Sequence, residues 1–320
     1  MKPKRIPLRA EIAKCGCGVI VPLVTPLQAD ETIDADGMAR LIDHVLSAEV
    51  NCLFVLGTNG EFQAFTDPEV GRLVSLVRGL LQKRGAKQSL LAGVSAPSLR
   101  AALARTKAAV QAGADALVAC APYYFIYQPQ ELVAYFSALA DNAERPVILY
   151  NSPRYTKNPL TPDIVAELAE HPNIIGIKDS SGNDELLQAF IAIARNKADF
   201  FVSQGAEQRL AHGILLGADG ITPGFANMAP HHCVALWEAA QTPHRLAEVE
   251  ALQQQLTALS AVHRIRSGIS GTKAVLAELG ICGPTPIAPF MPLNTAERRQ
   301  VRQILAALGI LTPVTNEAGV

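Results

Sequence analysis

The sequence predicts an α/β protein, a (β/α)8 TIM barrel with a C-terminal helical extension. Short apolar runs alternate eight times with amphipathic stretches of helical period. The runs are apolar at successive positions, which is typical of parallel strands covered by helices on both faces. After about residue 241 only helical periodicity continues. These three observations favour a parallel barrel followed by helices.

Each predicted strand is a β-branched or Leu-rich run that ends in turn residues. The predicted strands span residues 19–23, 52–56, 89–93, 116–119, 147–150, 174–178, 200–204 and 220–222. The helices that follow them are expected at 34–48, 67–84, 99–112, 129–143, 162–169, 184–195, 206–216 and 230–240. Thr66 stands before Asp67-Pro68 as a capping residue before a first-turn proline, which supports a helix start there.

A closed barrel is favoured over an open sheet for two reasons. The eight units occupy about 225 residues, the usual size of such a barrel. No Gly-x-Gly-x-x-Gly follows the first strand, so the dinucleotide-binding open sheet lacks its phosphate loop. We therefore expect a catalytic barrel at 17–241, a C-terminal three-helix region at 242–312, and tails at 1–16 and 313–320. In that region helical patterns lie at 246–259, 272–279 and 295–308, and the proline-rich run 283–289 is a non-helical connector.

Composition excludes several classes of protein. Of 320 residues 49% are hydrophobic and 18% charged, and the net charge is −1, which excludes global disorder and offers no field that attracts polyanions. We expect no nucleic-acid partner and no membrane span, because no run approaches the roughly 18 to 20 apolar residues that a span needs. Six cysteines without a Cys-x-x-Cys pair indicate a reduced, cytoplasmic protein with no metal site.

Candidate catalytic residues are sought at the carboxyl ends of the strands, where the active sites of such barrels lie. Lys178 ends the sixth run and, facing the interior among apolar neighbours, would be a nucleophilic amine suited to Schiff bases. Tyr150 ends the adjacent strand and can pass a proton, with Thr58 as a relay. Each also has a structural interpretation: a solvated lysine, a core aromatic and a turn residue. The glycines Gly57 and Gly60 would let backbone N–H groups converge on a carboxylate, whereas Glu61 beside them has no evident role.

The ordered motifs are more specific than their parts. They are Thr-Pro at 25–26, Gly-Thr-Asn-Gly-Glu at 57–61, Pro-Tyr-Tyr at 122–124, Tyr-Asn-x-Pro at 150–153, Gly-Ile-Lys-Asp at 176–179 and Gly-Ile at 220–221. From about residue 18 to 311 the chain resembles the dihydrodipicolinate synthase and N-acetylneuraminate lyase family of class I, Schiff-base lyases. The resemblance implies the same barrel with C-terminal helices, usually assembled as tetramers built of two dimers, and no metal or organic cofactor.

The resemblance also implies roles for individual residues. Lys178 would condense with the ketone of pyruvate or another 2-oxo acid, Tyr150 would donate and accept the proton, and Thr58 would relay it. Tyr124 matches a tyrosine that the family often inserts across a dimer interface. The resemblance further implies a set of residues around the bound acid: Thr58 and Asn59 on its carboxylate, and Ile221 and Gly205 in the pyruvate pocket.

The run after Tyr150 departs from the synthase pattern. Synthases carry Tyr-Asn-x-Pro-x-Arg-Thr, whose arginine binds the second substrate, whereas here Arg154 comes one residue early and Tyr155 stands in its place. Other short runs resemble the 4-hydroxy-2-oxoglutarate aldolase branch and related 2-oxo-3-deoxy sugar-acid aldolases. We therefore expect retro-aldol cleavage of a 4-hydroxy-2-oxo acid to pyruvate by a homo-oligomer. The alternatives are a dihydrodipicolinate synthase that condenses pyruvate with aspartate semialdehyde, and a barrel that binds a 2-oxo acid without turnover.

Overall fold

The computed structural model describes residues 16–242, 244–266 and 268–311. Eight parallel strands close into a barrel in which each strand pairs with its neighbours in the chain and the last pairs with the first. This confirms the predicted (β/α)8 barrel. The strands are β1 (Gly18–Pro22), β2 (Cys52–Val55), β3 (Ser89–Gly93), β4 (Ala116–Cys120), β5 (Val147–Asn151), β6 (Ile174–Asp179), β7 (Phe201–Gln204) and β8 (Gly220–Ile221).

Helices cover the outside of the barrel and continue beyond it. In the barrel they are α1 (Ala35–Leu46), α2 (Asp67–Lys83), α3 (Leu99–Gln111), α4 (Pro129–Asn142), α5 (Pro153–Thr156), α6 (Pro162–Ala169), α7 (Asp184–Arg195), α8 (Leu210–Leu216) and α9 (Pro230–Gln241). After the barrel come α10 (Leu246–Leu259), α11 (Ala261–Ile265), α12 (Gly268–Glu278) and α13 (Thr295–Ala307). The strand bounds lie within one residue of the predicted ones, because a run apolar at every position has clear ends.

The helix expected at 206–216 is divided. A 3-10 turn spans Glu207–Arg209, and α8 begins only at Leu210. The Gln204 side chain accepts a hydrogen bond from the Ala206 N–H, and the Glu207 carboxylate accepts one from the Phe225 N–H. These two hydrogen bonds replace the first turn of the expected helix. The backbone at Arg209 then leaves the helical region, at φ −132° and ψ 23°. The division therefore directs Glu207 toward the barrel end.

The C-terminal region contains one more helical segment than the three predicted, within its described residues. Helix α11 was not expected, and α12 begins at Gly268 rather than near residue 272. The glycines of α12 reduce its helical signal in the sequence. One of them packs closely, since a Cβ on Gly271 would lie 2.9 Å from the Val262 carbonyl oxygen. Close packing of α11 against α12 thus explains why α12 contains Gly271, although glycine disfavours a helix.

Two apolar layers account for the hydrophobic composition. Outward-facing strand side chains pack with the helices in a large outer core. The barrel interior is filled by a second set of side chains, Ile20, Cys52, Phe54, Leu91, Ala116, Val118, Cys120, Ile148, Tyr150, Ile175 and Phe201. Strands buried on both faces need apolar residues at successive positions, as the sequence shows.

Two further expectations concern the outer parts of the chain. In the described residues, no helix is both long and apolar enough to cross a membrane. The tails expected at 1–16 and 313–320 lie outside the described residues, apart from Gly16.

Candidate active site

Lys178 and Tyr150 lie side by side where β6 and β5 end. Their Cα atoms are partners in the parallel register of the two strands. The Lys178 Nζ lies 4.3 Å from the centre of the Tyr150 ring and 5.4 Å from that of the Phe54 ring. Both Lys178 and Tyr150 are buried, at 7% and 6% exposure. The arrangement places a primary amine between two aromatic rings at the upper layer of the barrel interior.

The Tyr150 hydroxyl is surrounded by other hydroxyl groups. Thr58 Oγ1 lies 3.2 Å from it, and the side chains of Ser152 and Ser180 also hydrogen-bond to it. Burial opposes ionisation of this phenol, but the charge of Lys178 and these three hydrogen bonds together lower the pKa of Tyr150. A phenol with a lowered pKa and a hydroxyl neighbour can give up and regain a proton beside the amine. Sequence reasoning found Thr58 but missed Ser152 and Ser180, although Ser180 lies only two residues beyond Lys178.

Gly205 makes the space that the lysine stem occupies. A Cβ at this position would lie 2.3 Å from Ser180 Oγ, 2.9 Å from Lys178 Cε and 3.0 Å from the Asp179 carbonyl oxygen. Gly176 lies on the same face of β6 two residues before Lys178, but it does not leave this room. The space over Gly176 is instead taken by Phe201, whose Cδ1 would lie 2.7 Å from an added Cβ. The structure thus brings Gly205 to the site.

We expect Gly205→Ala to slow imine formation by roughly 100-fold, because displacing a reacting group by about 1 Å costs about that much. The added methyl must move Ser180, Lys178 or the Asp179 backbone. The measurement is the rate of borohydride-trapped adduct formation with pyruvate. Gly79→Ala is the matched control, since a Cβ on that α2 residue meets nothing within 4 Å. Equal trapping rates in the two variants would contradict the assignment.

The loop after β2 contains Thr58, whose hydroxyl reaches Tyr150, and Asn59. The Gly60 N–H donates to the Gly57 carbonyl oxygen at 3.0 Å, and the Thr25 hydroxyl donates to the Gly60 carbonyl oxygen at 2.9 Å. Gly60 is required by close packing, because an added Cβ would lie 3.0 Å from both the Leu23 carbonyl oxygen and the Leu56 nitrogen. The loop is therefore packed against the segment that follows β1, which gives Thr58 and Asn59 defined positions.

Glu207 is a site residue that sequence reasoning missed. Burial raises its pKa to about 7, although the backbone N–H groups of Phe225 and Gly224 and the charge of Lys178 act in the opposite direction. A Cβ on Gly224 would lie 2.4 Å from Glu207 Oε1 and 2.3 Å from Asn59 Nδ2, so the carboxyl and the amide approach the same point. No sequence motif marked Glu207, because it stood inside an expected helix.

Ile221 is not brought to the site, which corrects the sequence interpretation. Ile221 is fully buried in the outer core between strands and helices. Its neighbour Thr222 points the other way, and the Thr222 hydroxyl lies 2.7 Å from Ser203 Oγ. Ser203 is the register partner of Lys178 on β7. Because side chains alternate across a strand, Thr222 takes the inward position that had been given to Ile221.

Tyr124 and Arg154 lie at the surface of the chain. Tyr124 is 89% exposed with a φ of 92°, and its ring packs edge-on against Phe125 at 5.0 Å between centroids. Arg154 is exposed in α5, with its guanidinium 5.7 Å from the centre of the Tyr155 ring. Within one chain, Lys178, Tyr150 and the β2 loop therefore lie together, whereas Tyr124 and Arg154 lie apart from them at the surface.

A buried lysine beside a hydrogen-bonded tyrosine at the carboxyl ends of the barrel strands is suited to the Schiff-base chemistry of a class I lyase. The described residues contain no group of three or more His, Cys, Asp or Glu that could hold a metal ion. Residues 16–308 match the model of the dihydrodipicolinate synthetase family. The chain belongs to this family.

Known proteins resemble the chain over nearly its whole length. An uncharacterized DapA-like lyase of Halobacterium salinarum is 33% identical, over 92% of this chain and 94% of the relative. A 4-hydroxy-tetrahydrodipicolinate synthase of Xanthomonas campestris is 32% identical, over 90% and 93%. Among solved structures, dihydrodipicolinate synthase of Bacteroides thetaiotaomicron has a TM-score of 0.85 at 33% identity, over 95% of this chain and 100% of that chain. A prophage protein of the same family from E. coli, solved with pyruvate, has a TM-score of 0.86 at 29% identity, over 92% and 99%.

Proposed function

We propose that the protein cleaves a 4-hydroxy-2-oxo acid, or a 2-oxo-3-deoxy sugar acid, to pyruvate and an aldehyde through an imine on Lys178. The observation that carries the proposal is the buried Lys178 amine held over the ring of Tyr150, whose hydroxyl is within hydrogen-bond reach of Thr58. A nucleophilic amine beside a proton-transfer group is the pair that imine formation and hydrolysis require.

The steps balance with these groups alone. The Lys178 amine, in its neutral form, adds to the C2 ketone, and the carbinolamine accepts one proton through Tyr150 and loses water to leave a protonated imine. The C3–C4 bond then breaks with its electron pair moving toward the iminium as an enamine, while the C4 hydroxyl loses its proton and the aldehyde departs. Protonation at C3 and addition of water release pyruvate, and the proton that formed the iminium returns to Tyr150. Tyr150, paired with Thr58, carries the protons, and Thr58 and Asn59 hold the substrate carboxylate.

The test is a panel of 2-oxo acids assayed for pyruvate release, with Lys178→Ala as the blank. We expect release from 4-hydroxy-2-oxo acids or 2-oxo-3-deoxy sugar acids, and none from the blank. Absence of release from every member of the panel, with pyruvate still trapped as an imine, would replace the proposal by a barrel that binds 2-oxo acids without turnover.

The second candidate is a synthase that condenses pyruvate with aspartate semialdehyde. It is favoured by relatives that carry the name 4-hydroxy-tetrahydrodipicolinate synthase over 90% or more of this chain. In this case Arg154 would bind the carboxylate of the second substrate, so Arg154→Ala would remove the activity. A wild type that does not consume aspartate semialdehyde with pyruvate eliminates this candidate.

Glu207 should make stability depend on pH. The folded-state pKa of Glu207 is about 7, above the ordinary value of 4.5. Between pH 4.5 and pH 7 the folded protein therefore keeps a proton on this carboxyl that the unfolded chain has released. The stabilisation is complete below about pH 4.5 and is lost as pH rises through about 7, by at most about 3 kcal/mol at 1.36 kcal/mol per pH unit. Urea unfolding at pH 5 and pH 8 should show this loss in the wild type and a smaller one in Glu207→Gln. Glu185→Gln, at an exposed position, should behave as the wild type, and identical pH slopes in all three proteins would refute the assignment.

We propose that the chain forms a homo-oligomer through the segment after β4. Tyr124, Phe125 and Ile126 are consecutive large apolar residues that are 89%, 65% and 79% exposed. Clustered exposed apolar side chains mark protein interfaces, and the family resemblance assigns Tyr124 to one. Ile126→Asp should shift the mass measured by light scattering to that of the monomer, whereas Met291→Asp, at another exposed apolar position, should not. A monomeric wild type at micromolar concentration would exclude the proposal.

A further inference from the structure

Glu61 and Lys273 form an ion pair that is completely buried. The Lys273 Nζ lies 2.5 Å from Glu61 Oε1, and both side chains are 0% exposed. Burial lowers the pKa of Lys273, and the Glu61 carboxylate opposes this effect. Removing two charges from water is costly, and apolar residues of similar volume often serve stability equally well. Stability alone therefore gives little reason for this pair.

The pair connects two parts of the chain that are distant in sequence. Glu61 lies in the loop after β2, whereas Lys273 lies in α12 of the C-terminal region. Glu61 Oε2 accepts from the Ile287 N–H at 2.7 Å, and Lys273 Nζ donates to the Thr285 carbonyl oxygen at 2.8 Å. Two charged groups and two backbone groups thus join the β2 loop, α12 and the proline-rich connector.

Holding Glu61 also holds the residues immediately before it. Glu61 has a φ of 59°, in the left-handed region that a residue with a side chain adopts at a cost. Its N–H donates to the Thr58 carbonyl oxygen at 3.2 Å. The backbone of Thr58 is therefore tied to a residue whose own side chain is fixed by Lys273 and Ile287. If this tie is released, the left-handed turn can relax and redirect Thr58 and Asn59.

We propose that Glu61 and Lys273 are positioning residues through which the C-terminal helices set the geometry of the site for the 2-oxo acid carboxylate. This inference rests on the proposed function, in which Thr58 and Asn59 bind that carboxylate. Neither charged group touches the substrate. The pair acts through the β2 loop, so its loss should weaken recognition of the carboxylate more than the reactivity of Lys178.

Comparing pyruvate with methyl pyruvate tests this separation. Both have the same reactive ketone, but only pyruvate bears a carboxylate. We expect Glu61→Gln and Lys273→Met to raise the pyruvate concentration for half-maximal borohydride trapping by about 10- to 100-fold, the effect of misplacing a binding group by about 1 Å. The value for methyl pyruvate should change little. A variant that is merely less folded would lose both compounds in proportion.

A double variant and a control guard against loss of folding. The double variant Glu61→Gln with Lys273→Met leaves no unpaired buried charge, so we expect it to fold. Its preference for pyruvate over methyl pyruvate in the trapping experiment should still be weaker than that of the wild type. Glu278→Gln weakens the ion pairs of Glu278 with Arg298 and Arg302 in the same region without touching the loop, and should keep the wild-type ratio.

The outcomes separate the inference from the proposed function. If folded Glu61 and Lys273 variants trap pyruvate at wild-type concentrations, or lose both ketones equally, the positioning role is overturned. If the wild type traps neither ketone on Lys178, the proposed function fails first.

Discussion

Lys178→Ala should abolish both the pyruvate adduct and turnover. The wild type, treated with pyruvate and borohydride, should gain the mass of one reduced pyruvate on the peptide that contains Lys178. The variant should gain none, and its turnover should fall by at least about 10⁴-fold, as on removal of an essential nucleophile. Lys178 is buried between the rings of Tyr150 and Phe54, so no solvent-exposed lysine can take over its geometry. Intact-mass and peptide spectrometry provide the measurement.

The control for this experiment is an exposed lysine. Lys197 forms a surface ion pair with Glu170, and Lys197→Ala should form the adduct as the wild type does. If the variant without Lys178 still forms a stoichiometric adduct, the nucleophile is another residue, and the proposed mechanism is wrong.

Tyr150→Phe should separate proton transfer from imine formation. The ring that lies 4.3 Å from Lys178 Nζ remains, so the packing around the amine is preserved. Loss of the hydroxyl should lower turnover by about 10²- to 10⁴-fold, the usual contribution of a general acid or base. Trapped adduct at saturating pyruvate should still accumulate, though more slowly. The measurements are steady-state pyruvate release and the time course of trapping.

Thr58→Val provides the comparison for the phenol. It removes the hydroxyl that lies 3.2 Å from Tyr150 but leaves the serine partners, so its loss of turnover should be smaller than that of Tyr150→Phe. If both variants retained wild-type turnover, the phenol would have no part in the reaction, and its lowered pKa would be a consequence of packing alone.

Lys178 and Tyr150 could be predicted because they depend on local rules. Each ends an apolar run, consecutive parallel strands are neighbours, and their carboxyl ends meet at one end of the barrel. The observed register, in which the two residues are partners, follows from this order. Ile221 shows where the same rule stops. Alternation says that residues 221 and 222 face opposite ways, but only closure of the barrel decides that Thr222 faces inward.

Glu207 depended on tertiary structure for a different reason. Its helical pattern in the sequence was correct for α8 but extended too far toward the N-terminus. The free energy of a hydrogen bond to the Phe225 N–H, supplied by the loop after β8, favours a turn over continued helix. The hydrophobic pattern of a segment does not predict hydrogen bonds that it makes with a distant loop.

Contiguous residues were enough to predict the barrel, its strand order and the places of Lys178, Tyr150 and Thr58, because periodicity and strand ends are local properties. The inward face of β8, the entry of Glu207 into the site and the contact of Glu61 with Lys273 depend on how segments distant in the chain pack together. Glu61 also accepts a hydrogen bond from Ile287, 226 positions away in the chain. A contact across that separation is set by how the C-terminal helices dock on the closed barrel, so the residue that had no evident role in the sequence has a definite one in the fold.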